Sequence, residues 1–91
     1  MDHPVRHNEE SGRFHARVDG HDCVLDYALD DGRMTITHTR VPEAVGGRGI
    51  AAALTRAALD IARERGWRVI PACAYARIYF ERHPDQADLL A

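Results

Sequence analysis

Apolar and polar residues alternate with a period of two through most of the first half of the chain. Phe14, Ala16 and Val18 interleave with Arg13, His15 and Arg17, which predicts a half-exposed strand. Asp19-Gly20 is a turn signal, and Cys23, Leu25, Tyr27 and Leu29 then resume the alternation. Asp30-Asp31-Gly32 marks a second turn. After it Met34, Ile36 and His38 fall on one face and Thr35, Thr37 and Thr39 on the other. Three strands joined by tight turns make an antiparallel meander.

The period then lengthens. Ile50, Ala53, Leu54, Ala57, Ala58 and Ile61 recur at helical spacing, with Arg56, Asp60, Arg63 and Glu64 on the opposite side and Gly66 as a C-terminal cap. Trp67 to Ile70 reads as a largely buried strand, ended by Pro71, which lacks a backbone donor. A second helix is expected from about Ala74 to Arg82, burying Tyr75, Ile78 and Tyr79 until Pro84 stops it. Asp85 to Leu90 forms a short terminal turn or helix. The polar residues 1–11 are read as a flexible lead-in and residues 12–91 as a single domain. The order β-β-β-α-β-α predicts an α+β fold with a four-stranded mixed sheet and two packed helices. Its last two strands are parallel because a helix crosses between them. Ligands of such sheets bind beyond the carboxyl ends of parallel strands. That end gathers the segment 41–54, His38 and Cys73.

The segment from Val41 to Leu54 carries the strongest chemical signal. A strand feeds a turn with Gly46, Gly47 and Gly49, and the turn opens directly into a helix. Three glycines at one junction exceed what a turn requires. They let the backbone approach a ligand closely, and the helix start offers unpaired N–H groups and a positive dipole end. Phosphate binds in such places. Gly47 to Ala52 formally fits the dinucleotide fingerprint, but the turn follows a meander and the next strand ends without the ribose-binding acid. A P-loop is excluded because no Gly-Lys-Ser/Thr follows.

Composition narrows the classes further. A chain of 91 residues with a net charge of −2 has neither a nucleic-acid-binding footprint nor a basic membrane stretch. Its twelve basic residues are all arginine, which we read as the base composition of a GC-rich bacterial genome. No apolar run reaches membrane-spanning length and residues 1–10 are polar, so a cytoplasmic location is expected. Cys23 and Cys73 have no CxxC spacing and are expected to be free thiols. The six histidines are scattered without ligand spacing, and no metal is expected.

Ordered motifs add to this picture: His38-Thr39-Arg40-Val41-Pro42, then Gly47-Arg48-Gly49-Ile50, then Ile70-Pro71-Ala72-Cys73-Ala74-Tyr75, then His83-Pro84. Together they resemble the Gcn5-related N-acetyltransferase superfamily, and within it the small acetyltransferase-like group of about ninety to a hundred residues. The resemblance spans residues 12 to 90. It implies a truncated form of that fold, acetyl-coenzyme A as cosubstrate, an amine acceptor of unidentified kind, and transfer of the acetyl group to nitrogen. It also implies cofactor contacts from Gly46, Gly47, Arg48, Gly49, Ile50 and Ala51 to the pyrophosphate, and from Thr39 and Val41 to the pantetheine arm. The superfamily turn usually begins with Arg or Gln where this chain has Ala44, a contribution that Arg48 would partly replace. The general acid often found in the last helix falls at Tyr79 or Phe80.

Acyl transfer to an amine needs a base, and no carboxylate lies between Met34 and Val41, so His38 is the candidate. Its alternation with Met34 and Ile36 points it inward, toward Cys73 as a partner. Cys73, between Pro71 and a helix start whose dipole favours thiolate, is the candidate nucleophile or a thiol lining the thioester site. The rival reading is a non-catalytic acyl-CoA-binding or sensing module, in which His38 and Cys73 only line the pocket. A monomer is expected.

Overall fold

The computed structural model describes residues 4–91. Met1 to His3, part of the expected lead-in, lie outside the described residues. Five strands form one sheet in the order β1 (Arg6–Asn8), β2 (Arg13–Val18), β3 (His21–Asp30), β4 (Arg33–Arg40) and β5 (Arg68–Pro71). The first four are successively antiparallel, and β4 and β5 are parallel. Helix α1 (Ile50–Arg65) makes the crossover between β4 and β5, and α2 (Ala74–Arg82) follows β5. Short 3-10 turns cover Glu43–Val45 and Pro84–Leu89.

One hydrophobic cluster lies between the sheet and the helices. Phe14, Leu25, Met34, Ile36 and Val69 line its sheet side, and Ile50, Leu54, Ala58, Ala76 and Phe80 its helix side. The opposite face of the sheet is bare. Helix α1 ends at Gly66, whose positive φ of 72° lets its N–H reach back to the last turn.

Three expectations are corrected. The sheet has five strands instead of four, the addition being β1 within residues 1–11. Three residues are too few to show alternation, and only His7 turns inward, stacked on Phe14 with 4.1 Å between ring centroids. Strand β5 buries only Val69, since it sits at the sheet edge with one face open; Ile70 is 37% exposed. Ile78 is 45% exposed, because α2 turns Ala76, Tyr79 and Phe80 to the core.

Candidate functional site

Strands β4 and β5 run together only from Arg33↔Arg68 to Ile36↔Pro71. There the pairing stops. Pro71 offers no N–H, and the amides of both Ala72 and Cys73 turn onto the single carbonyl of Ile36, at 3.0 and 3.1 Å. Beyond this fork β4 continues to Arg40 paired with β3 alone, so its other edge has no strand partner there.

The glycine turn follows the end of β4 and leads into α1. Buried Val45 and Ile50 anchor it at both ends, and all four residues between them are exposed. Gly47 and Gly49 hold φ of 78° and 75°, values that L side chains rarely adopt, and a Cβ at either would point into open space. Gly49 is also the N-cap of α1. It supplies no side-chain cap, and the first turn contains no acidic residue. The first intrahelical donor is Ala53, to Gly49 at 3.0 Å, so the N–H groups of residues 50 to 52 have no intrahelical acceptor. Ile50 and Ala51 can therefore offer amides, while the Ile50 side chain belongs to the core. Val41 also packs against the core. Arg48 forms a 2.6 Å ion pair with Asp19 of the β2–β3 turn, which ties the glycine turn to a distant hairpin.

A bulge in β4 decides what faces what. Tyr27 pairs with Ile36 and Asp26 with His38, which leaves Thr37 as an extra residue with no register partner, its Oγ1 donating to the Asp26 carbonyl at 3.2 Å. The alternation inverts there. Thr39, opposite buried Leu25, now lies on the core side, and His38, opposite Asp26, lies on the bare face and is exposed. The expected inward histidine beside Cys73 is thus corrected: Thr39 holds that place. Its Oγ1 is 3.6 Å from Cys73 Sγ. Cys73 caps α2, its sulfur accepting the Ala76 N–H at 3.4 Å.

His38 has a neighbour that the sequence reading missed. Asp26 lies across from it and is itself held by Arg13 at 2.6 Å. The Arg13 guanidinium keeps the Asp26 carboxyl ionised below its ordinary range, and the His38 charge acts in the same direction. No pattern in the sequence announces this row, because it depends on the bulge. On α2 the Tyr79 ring is buried and stacks on His83, whose Nδ1 donates to the Tyr79 carbonyl at 2.8 Å; Phe80 is also buried.

Comparison with known proteins gives this geometry its context. The family described as GCN5-related N-acetyl-transferase matches residues 13–89. The chain belongs to that family. Among its relatives, Protein NATD1 of Mus musculus is 37% identical over 83 residues, covering 88% of this chain and 76% of its own. The Homo sapiens protein is 37% identical over 83 residues, with 88% and 74% covered. The solution structure of a GCN5-like candidate N-acetyltransferase from Staphylococcus aureus superposes with a TM-score of 0.77 at 23% identity, covering all of this chain and 90% of that one. It shares the fold of the family. Among the described residues no helix is long and apolar enough to cross a membrane.

Proposed function

We propose that the chain is an acetyl-coenzyme A-dependent N-acetyltransferase whose cosubstrate occupies the unpaired edge of β4. The fork at Ile36 and Pro71 carries this reading, since it leaves one edge of β4 unpaired in the stretch that leads into a glycine turn and a helix start without a side-chain cap. The pyrophosphate would rest on the amides of residues 46 to 51, with Arg48 exchanging part of its pairing with Asp19 for phosphate. The pantetheine arm would hydrogen-bond along the free edge from Thr39 to Val41, as an added strand does. Its thioester would then lie near Thr39 and Cys73.

The chemistry follows from the two sides of β4. An amine arriving from the bare face meets His38, which takes a proton as the nitrogen attacks the thioester carbon. The carbon–sulfur bond breaks, and the coenzyme A thiolate leaves on the side of Cys73 and Thr39 and gains a proton. The amide product and free thiol balance the reaction. His38 and Cys73 lie on different sides of the strand, which favours direct attack over an acyl-cysteine formed with His38 as base. Calorimetry with coenzyme A, followed by mass spectrometry of amine acceptors incubated with acetyl-coenzyme A, tests the proposal. Micromolar binding and acetylated acceptor support it. Binding without any acetyl transfer to a broad amine panel would leave an acyl-CoA-binding module instead.

A further inference from the structure

The bare sheet face differs in charge from the rest of the molecule. Strand alternation and register place Arg6, Arg13, Arg17, Arg33, Arg40 and Arg68 on it, against Asp22, Asp26 and Asp30. Half of the chain's twelve basic residues are there, but three of its fourteen acidic ones, although the whole chain carries −2. The acids are partly spent. Asp26 is held by Arg13, and Asp22 is shared by His15 and Arg17. Arg6 and Arg40 have no acidic partner among the described residues, Arg33 stands opposite Asp30 in the register, and Arg68 donates to the Asp88 carbonyl. Arg33 has Arg68 on one side and Asp30 on the other in the register, so one carboxylate stands against two guanidinium groups.

This face also has shape. A concavity of about 970 Å³ lies over the β1–β3 side of the sheet, lined by Arg6, Arg13 and His15 and also by the carboxylates Glu9, Glu10 and Asp22. Of these carboxylates, Glu9 is taken by Arg65 and Asp22 by His15 and Arg17, while Glu10 in the β1–β2 turn has no ion pair among the described residues. Arg6, His15, Val24 and Arg40 form one row across four strands, about 14 Å from end to end at the usual strand spacing. That is the reach of four or five residues of extended chain. His38 lies beside this row, on the same face.

We propose that the bare face is a docking surface for an acidic polypeptide segment, laid in extended form across the strands, whose amine reaches His38. The surface would select acceptors by carboxylate side chains. Aspartates interspersed among the arginines, and the absence of phenylalanine, tyrosine and tryptophan from this face, disfavour a nucleic acid, which favours uninterrupted positive charge and large stacking rings. Docking stands on the charge pattern alone; only the delivery of an amine to His38 rests on the acetyltransferase reading.

The test separates the two. Fluorescence anisotropy of a labelled glutamate-rich peptide on the intact protein should show saturable binding at low ionic strength that weakens at least tenfold at about 0.3 M salt. A lysine-rich peptide should not bind, and single-stranded DNA should bind more weakly than the glutamate-rich peptide. The double variant Arg6→Glu/Arg33→Glu, both residues remote from the glycine turn, should lose at least tenfold in peptide affinity while coenzyme A calorimetry stays unchanged. Arg6→Gln/Arg33→Gln serves the same purpose if charge reversal impairs folding. No binding of the acidic peptide, equal binding of the lysine-rich one, tighter binding of DNA, or an indifferent folded variant would each overturn the docking surface. Failure of coenzyme A to bind would overturn the enzyme reading and leave the docking result standing.

Discussion

Gly49 and Gly12 share a positive φ, yet a side chain at each has a different consequence. At Gly49 the added Cβ meets nothing within 4 Å, so Gly49→Val should fold with a modest penalty, about 1–2 kcal/mol from the left-handed backbone. Its branches would fill the space in which a phosphate approaches the α1 amides, and coenzyme A affinity should fall at least tenfold by calorimetry. At Gly12 a Cβ would lie 2.3 Å from the Tyr27 carbonyl oxygen, inside the contact by which Tyr27 N–H reaches Gly12 at 2.8 Å. Gly12→Ala should therefore lower the thermal midpoint and leave coenzyme A affinity per folded molecule intact. His38→Ala should cut turnover by about a hundredfold with little change in coenzyme A affinity; near-normal turnover would remove His38 as the base. Cys73 gives a third residue-scale outcome. With acetyl-coenzyme A alone no hydroxylamine-labile adduct should form, and Cys73→Ser should keep most of the turnover. The absence of lysine makes the mass spectrum easy to read, because only the amino terminus can hold a background acetyl group. A labile adduct lost in Cys73→Ser would establish an acyl-thiol route instead.

At the scale of elements, most of the sheet and both helices were legible because period-two and period-3.6 patterns run unbroken through β2, β3, α1 and α2. What was not legible depends on pairing between strands. Met34, Ile36 and His38 look like one continuous face, and the threonines at 35, 37 and 39 look like the other. Nothing local reveals that Thr37 has no register partner in β3. The glycine turn could be read from residue type alone, since its geometry is set by glycine itself. The neighbours Thr39–Cys73 and Asp26–His38 could not, since each depends on the bulge. Strand β1 hid for a related reason, its single inward residue being a histidine. That residue gives β1 a pH dependence. His7 stacks on Phe14 and hydrogen-bonds Tyr27 Oη at 2.6 Å; burial first, and then Arg65 against the opposing pull of Glu9, lowers its pKa below 6.5. Below 6.5 the unfolded chain binds this proton more readily than the folded one, so stability should fall as pH drops from 6.5 through the lowered folded value. Protection factors at the β1–β2 amides, which correct each exchange rate for its intrinsic pH dependence, should fall over that window, and His7→Gln should abolish this part of the pH dependence.

For the molecule as a whole, a single one-sided core carries the fold. A chain of this size has a net stability of about 5–14 kcal/mol. Leu54, fully buried on α1, is worth a large part of that: Leu54→Ala should cost about 2–5 kcal/mol in chemical denaturation. A loss below 1 kcal/mol would mean the helix is not packed as described. Because all the apolar cohesion lies on one side, the other side of the sheet is released from packing and free to carry charge. The bulge in β4 connects these two sides in an unexpected way. A strand is a counting device in which odd and even positions address opposite neighbours, and one surplus residue changes the parity of everything after it. Here that arithmetic, and not the identity of any side chain, hands the histidine to one clientele and the threonine to the other. A chain that gained or lost one residue in this strand would keep every functional group it owns and trade their audiences.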